Sequence, residues 1–176
     1  IIEGMATRSE SYGPGLDLDP ALGLSPTERG EFLHRCFEVL GARPDLAERW
    51  FAGAGIDVGA NDRDRIIDAV AAFEALIQSQ LEPAGISREL PLLAETENGS
   101  VLSGIADMIV ETTQGLWIID HKSDRVADTD ERFAEYLPQL LAYWETLAGA
   151  EGTPPVVGVG INWINRGELQ LGVFSE

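Results

Sequence analysis

The segment Trp117–Ser123, WIIDHKS, ends a short apolar run with an aspartate, a histidine and a lysine. Lys122 is the only lysine in this chain of 176 residues, in which lysine and arginine together number 12. Alternate side chains of an extended strand project from the same face, so Asp120 and Lys122 share a face while His121 points to the other. The segment therefore predicts a strand that brings a carboxylate and an ammonium group together at its end.

A second carboxylate, Asp107, lies within the preceding predicted strand, where the run Gly104-Ile-Ala-Asp107 ends the first half of that strand. If the two strands pair as a hairpin, Asp107 lies beside Asp120. A carboxylate in an apolar strand is costly to bury unless it is paired or binds a metal. Two carboxylates and a lysine suit phosphodiester hydrolysis, in which divalent cations activate water and the ammonium group stabilises developing negative charge. An isolated Asp-x-Lys triplet, by contrast, is more often a surface ion pair.

Periodicity of apolar residues predicts helices over about 25–41, 62–81 and 130–148, with Ser25 as an N-cap and Pro138 as an irregularity. Strands are predicted over 86–93, 101–112 and 116–121, and two more within 154–174. This order predicts one α/β domain, a mixed central sheet flanked by helices, over 25–176. Residues 1–24 are expected to form a flexible lead-in, of which residues 1–4 could be an expression-tag remnant.

Composition narrows the class of protein. The single cysteine, Cys36, excludes an internal disulfide and a multi-cysteine zinc or iron–sulfur site in this chain. Apolar runs fall short of the ~20 residues of a membrane span, and the first residues do not resemble a signal peptide, so a cytoplasmic protein is expected. The formal charge of -18 argues against non-specific affinity for a polyphosphate backbone.

Four short motifs in order resemble the RecB-like branch of the PD-(D/E)xK nucleases, found at the C-terminal end of RecB and AddA helicase–nucleases. The motifs are Gly30-x-x-x-His34, Gly104-x-x-Asp107, Asp120-x-Lys122 and Gln139-x-x-x-Tyr143. Each motif is weak alone, whereas the ordered set is fairly specific. The resemblance covers about residues 25–144.

This resemblance implies a restriction-endonuclease-like core and a set of site residues. Asp107, Asp120 and Lys122 would be catalytic, and His34, Asp107 and Asp120 would bind the metal. Gln139 and Tyr143 would brace the site or contact the nucleic-acid strand. Magnesium is the expected cofactor, with manganese as a substitute, and no iron–sulfur cluster is expected.

The function expected from the resemblance is DNA hydrolysis by the exonuclease-type domain of a RecB/AddA-like helicase–nuclease in double-strand break repair and recombination. Single-stranded DNA would be delivered by helicase domains of the same polypeptide, with an AddB-like or RecC-like partner subunit and no membrane association. Three alternatives stay open: a catalytically inactive module with a structural or DNA-guiding role, a stand-alone nuclease, and a generic acidic α/β domain.

Several other side chains admit two interpretations. His121 is expected to be structural, and Cys36 to be a buried, inert thiol. Tyr136 and Trp144 could stack on bases, but their helical spacing favours the core. Glu89, like Glu95, could add a carboxylate to the site, although a solvated strand end is the simpler interpretation.

Overall fold

The structure, a computed structural model, describes residues 4–95 and 98–174, with the backbone alone described at 94, 95 and 102. The strands are β1 (Met5–Ser11), β2 (Gly85–Glu95), β3 (Val101–Glu111), β4 (Leu116–Lys122), β5 (Val156–Trp163) and β6 (Glu168–Phe174). The α-helices are α1 (Pro26–Ala42), α2 (Ala47–Gly53), α3 (Ala60–Leu81) and α4 (Thr129–Ala148), with short 3-10 helices at Pro20–Leu22 and Pro44–Leu46.

The strands of the described ranges form one six-stranded sheet in the order β1-β6-β5-β4-β3-β2. Strands β4 and β5 run parallel, and the neighbouring pairs β1/β6, β6/β5, β4/β3 and β3/β2 are antiparallel. Helix α4 makes the long connection that a parallel pair requires. The predicted mixed sheet with flanking helices is confirmed.

Each face of the sheet has its own core. On one face, α1 and α3 cover Met108, Val110 and Ile119 of the central strands. On the other face, α4 packs its buried side, Phe133, Leu137, Leu140 and Leu147 among others, on Ile109, Ile118 and Val159. Because β3 and β4 are covered on both faces, polar side chains on these strands lie in largely enclosed surroundings.

Local sequence explains where the main helices begin. Ser25 accepts a hydrogen bond from the Glu28 amide, and the Glu28 side chain accepts one from the Ser25 amide, so the predicted N-cap is confirmed as a capping box. Asp128 caps α4 through hydrogen bonds from the Asp130 and Glu131 amides. Helix α4 runs uninterrupted through Pro138, so the irregularity expected there is absent from the assigned helix.

The prediction of a flexible lead-in over residues 1–24 is wrong for Met5–Ser11, which forms β1 and pairs along its length with β6. Beyond β1 the segment is also held, because the Tyr12 amide donates to Gly167 and the Leu16 amide to Ile164. Strand β1 was not predicted because it is an edge strand whose side chains are mostly exposed, so its sequence has no alternating apolar pattern. Helix α2, a seven-residue helix, was also not predicted.

The segment that joins β2 to β3 includes Glu97, which lies outside the described residues. Turns follow at Gly115, between β3 and β4, and at Gly167, between β5 and β6, and both glycines have positive φ. Within the described ranges, no helix combines the length and the apolar content needed to cross a bilayer.

Candidate active site

The hairpin of β3 and β4 brings the two predicted carboxylates together. The antiparallel register ends with Met108 opposite Ile119, and Asp107 and Asp120 are the residues directly beyond this last pair on their two strands. The two side chains are close enough to share a hydrogen bond. The adjacency that the sequence predicted for a paired hairpin is therefore present in the fold.

Helix α1 adds His34 to this pair. Its Nδ1 atom lies 3.9 Å from Oδ2 of Asp107. The same Asp107 oxygen accepts a 2.7 Å hydrogen bond from the backbone amide of His121. Asp107 thus lies between the N-terminal helix and the end of β4, with its side chain mostly buried.

Lys122 approaches from the other side of Asp120. Its Nζ atom is 2.6 Å from Oδ2 of Asp120 and 4.3 Å from the centre of the Tyr136 ring on α4. Asp120 and Lys122 project from the α4 face of β4, as their spacing predicted. The structure therefore brings together four predicted residues: His34, Asp107, Asp120 and Lys122.

Burial sets the protonation states of this cluster. Desolvation, followed by the hydrogen bond and negative charge of Asp120, raises the pKa of Asp107 to about 9. Desolvation also lowers the pKa of His34, an effect that the charge of Asp120 partly opposes. In the absence of a cation, Asp107 therefore holds a proton at neutral pH, whereas His34 is a neutral imidazole with a lone pair available to a ligand.

The donor chemistry of this cluster fits a divalent cation. Two carboxylates and a neutral imidazole are suitable ligands for Mg²⁺ or Mn²⁺. The buried Oδ2 atom of Asp120 lies close to Lys122 but outside hydrogen-bond geometry, and a bound cation would give it a partner. Among the side chains that the structure describes, no three histidine, cysteine, aspartate or glutamate groups already form a compact ligand set, so side-chain adjustment would accompany binding.

An irregularity in β2 and β3 places Asp107. Ala106 packs with the α4 cluster, whereas Met108, two residues later, packs with α1 and α3. In the facing strand β2, the side chains change face at the corresponding point: Leu90 packs on the α4 side, whereas Arg88, two residues earlier, pairs with Glu74 of α3. The regular alternation of side chains between the two faces of the sheet is thus interrupted in both strands around Asp107.

Glu89 lies between Arg88 and Leu90 at this break, and its φ of 50° is unusual for a residue with a side chain. Desolvation, followed by the charge of Glu38, raises the pKa of Glu89, and Asp120 acts in the same direction. Glu89 in turn helps to raise the pKa of Asp107. Its carboxylate therefore belongs to the electrostatic surroundings of the site. The side chain of Glu95 lies outside the described residues.

Two motif glycines allow the elements of the site to approach. A Cβ atom on Gly104 would lie 2.7 Å from Cε1 and 2.9 Å from Oη of Tyr143. A Cβ atom on Gly30 would lie 2.8 Å from Oγ of Ser123, which follows Lys122. Gln139 donates a 3.0 Å hydrogen bond to Oη of Tyr143. Gln139 and Tyr143 therefore support β3 from α4, in keeping with a bracing role.

The imidazole of His121 lies in the core, on the α1 and α3 face of β4. It is 2 % exposed and packs against Phe37 and Phe73. Burial lowers its pKa to about 3. Its Nδ1 lies 3.0 Å from Nδ2 of Asn162, whose Oδ1 accepts a 2.6 Å hydrogen bond from Tyr12. The interpretation of His121 as structural agrees with these contacts.

Cys36 agrees with its interpretation as well, since it is buried beneath Trp50, which donates to its sulfur, and burial raises the pKa of the thiol to about 12.

Helical spacing favoured the core over base stacking for Tyr136, and it did not indicate the polar neighbours of this residue. The ring is only partly buried and contacts Lys122, while its hydroxyl donates to Asp124. Arg132 binds the same carboxylate of Asp124. Helical spacing indicated that Tyr136 lies on the inner face of α4, but not that this face extends over the end of β4. Trp144 agrees with the core interpretation, since it packs against Phe174.

The sequence profile of the PD-(D/E)XK nuclease superfamily matches residues 11–166, a range that includes the four motifs and the strands β2 to β5. No curated protein matches the chain closely enough to be considered a relative. The mixed sheet with helices on both faces is consistent with the restriction-endonuclease-like fold of that superfamily. Because the match covers most of its length, the chain belongs to the PD-(D/E)XK nuclease superfamily.

Proposed function

We propose that this chain is a divalent-metal-dependent deoxyribonuclease. The observation that carries the proposal is the meeting of Asp107, in the middle of β3, with Asp120 and Lys122 at the end of β4. A structural ion pair would require one carboxylate and one cation, whereas here a second buried carboxylate raises the electrostatic free energy of the fold. Such an arrangement is typical of a site that is completed by a cation.

Each residue has a role that its position supports. Asp107 and Asp120 would bind Mg²⁺ or Mn²⁺ through their oxygens, and His34 would add its neutral imidazole nitrogen. The cation would neutralise charge on the phosphate and make water more acidic. Lys122 would orient the attacking water and stabilise negative charge as the phosphorus–oxygen bond forms. Binding of the cation also requires Asp107 to release its proton, so the site couples metal affinity to pH.

The finer proposal is an exonuclease-type domain of a RecB/AddA-like helicase–nuclease that acts in DNA repair and recombination. The ordered motifs support it, as does the charge of -18, which makes independent capture of DNA unfavourable. Single-stranded DNA would then be delivered by helicase domains. An inactive module with a structural or DNA-guiding role is the alternative, and the presence of both carboxylates and the lysine counts against it.

Cleavage of end-labelled single-stranded DNA tests the activity. The parent chain should cut with Mg²⁺ or Mn²⁺ and not with EDTA, and Lys122→Ala should abolish cutting without unfolding the chain. Arg125→Ala is a matched control, because Arg125 is an exposed basic residue on the segment after β4 that pairs with Asp17. Equal activity of Lys122→Ala and the parent, or no metal-dependent cutting, would contradict the proposal.

Two further substrates address the finer proposal. A circular single strand should resist an exonuclease that degrades the linear form, and RNA of the same sequence tests the preference for DNA. Fluorescence anisotropy of labelled single-stranded DNA should show weak binding by this chain. Tight binding would argue against a need for delivery by helicase domains.

A further inference from the structure

The ammonium group of Lys122 lies between two different partners. On one side it is 2.6 Å from a carboxylate oxygen of Asp120, and on the other it lies over the ring of Tyr136 at 4.3 Å from the centroid. The lysine side chain is 16 % exposed. A lysine side chain has many rotamers, and holding it in a single one costs conformational entropy. Both contacts together therefore account for the single, mostly buried position of the ammonium group.

The Tyr136 ring is itself held in place. Its hydroxyl donates a 2.5 Å hydrogen bond to Oδ2 of Asp124. The same Asp124 oxygen accepts hydrogen bonds from Nη2 of Arg132 at 2.9 Å and from Nε at 3.2 Å. The fully buried Trp163 also contacts the ring, with 6.2 Å between the ring centroids, and the guanidinium of Arg132 lies over it at 5.0 Å from the ring centre. The ring that meets Lys122 is therefore fixed by the hydrogen bond of its hydroxyl and by its contacts with Trp163 and Arg132.

The chemistry of an aromatic face suits the requirement at this position. A ring attracts an ammonium group through its quadrupole and carries no formal charge. A second carboxylate would attract Lys122 more strongly but would also compete with the phosphate for it. Burial and the nearby Asp124 raise the pKa of Tyr136 to about 12, so the ring stays a neutral phenol in the working range. Tyr136 can thus orient the lysine and leave its charge available.

We propose that Tyr136 is the positioning residue for Lys122: its ring face holds the ammonium group beside Asp120, and Asp124 with Arg132 fixes the ring. The inference rests on the proposed nuclease function in assigning Lys122 to the reaction. Tyr136 acts through the lysine and needs no contact with the substrate. It is a different residue from Gln139 and Tyr143, which lie further along α4 and support β3.

Magnetic resonance can test the contact without any activity, because Lys122 is the only lysine in the chain. Uniform ¹³C labelling of lysine alone gives one εCH₂ signal. In the parent chain we expect its protons to be shifted upfield by the ring current of Tyr136. Tyr136→Leu should return the signal towards the position of a free lysine, and Tyr136→Phe, which retains the ring, should keep it upfield.

Trp144→Leu is the matched control, since Trp144 is another partly buried aromatic residue of α4 but packs against Phe174. The εCH₂ signal of Lys122 in Trp144→Leu should equal that in the parent chain. A parent signal without an upfield shift, or one that is unchanged in Tyr136→Leu, would overturn the contact. The near-ultraviolet circular dichroism of each variant establishes whether it is folded. If Tyr136→Leu is not folded, the comparison of Tyr136→Phe with the parent chain still tests the contact.

Kinetics tests the role. Tyr136→Leu should lower kcat about 10-fold, with KM and the affinity for Mn²⁺ unchanged, and Tyr136→Phe should restore most of kcat. Cleavage by Tyr136→Leu at the parent rate would overturn the positioning role while leaving the proposed function intact. If the parent cuts no DNA, the proposed function fails, and the lysine signal still decides whether Tyr136 fixes Lys122.

Discussion

Replacing Asp107 with asparagine is expected to stabilise the metal-free protein at neutral pH, because the fold buries this carboxyl beside Asp120. Burial and the neighbouring carboxylate raise its pKa to about 9, against the ordinary value of 3.8. The His121 amide donates a 2.7 Å hydrogen bond to Asp107, and it can donate to the amide oxygen of asparagine in the same way. The substitution therefore removes the electrostatic penalty and keeps the contact.

The sign and the size follow from proton linkage. Above a pH of 3.8 the unfolded chain releases the Asp107 proton, whereas the folded chain retains it until about pH 9. Stability therefore falls as the pH rises between these values. Between pH values of about 4 and about 7, the Asp107 carboxyl can lower the free energy of unfolding by at most about 4 kcal/mol, at ~1.36 kcal/mol for each pH unit. Because Asp120 shares the proton, we expect a gain of about 2 kcal/mol for Asp107→Asn near pH 7.

Urea unfolding followed by tryptophan fluorescence, in EDTA, measures this gain. The difference between Asp107→Asn and the parent should shrink as the pH is lowered from about 7 to about 5. Asp68→Asn, an exposed position on α3, is the control and should change stability little. Addition of Mn²⁺ should stabilise the parent and not Asp107→Asn. A variant less stable than the parent near pH 7 in EDTA, or a gain independent of pH, would refute the reasoning.

Three further predictions concern other positions. Gly104→Ala should destabilise the chain by about 1–3 kcal/mol in urea unfolding and reduce cleavage, because its methyl group would collide with the Tyr143 ring; unchanged stability would contradict this. Glu89→Gly should raise the free energy of unfolding by about 1 kcal/mol, since glycine accepts the φ of 50°; a loss of stability would oppose it. Cys36 should react with a thiol reagent only on unfolding, because it is buried and its thiol pKa is raised to about 12; rapid labelling of the folded chain would disprove it.

Much of the fold was predictable where local sequence and tertiary packing agree. The strand that contains Asp120 and Lys122 lies at the centre of the sheet, so its apolar run is continuous and its polar end stands out. The pairing of Asp107 with Asp120 also followed, because two consecutive strands with a short turn usually form a hairpin. The ordered motifs then indicated which residues meet.

Other features depend on contacts that a sequence does not reveal. Strand β1 was missed because an exposed edge strand satisfies its backbone on one side and needs no apolar alternation. The interrupted alternation at Glu89 and Asp107 was not visible, since a positive φ at glutamate has no sequence signature. The core was favoured for Tyr136, and its contact with Lys122 was not predicted, because helical spacing identifies a face of α4 but not how far β4 extends beneath that face.

The position of strand β1 at the edge of the sheet should affect the order of folding and, through a series of contacts, the candidate active site. The strand pairs Met5 with Phe174, so this edge joins segments separated by nearly the whole described chain and should form late in folding and open early. Tyr12, directly after β1, is hydrogen-bonded to Asn162, which contacts His121, whose amide holds Asp107. Opening of the edge and geometry of the site are thus linked through this chain of contacts. Amide exchange in β1 should therefore slow when a cation binds at Asp107 and Asp120, because binding favours the form in which these contacts are closed.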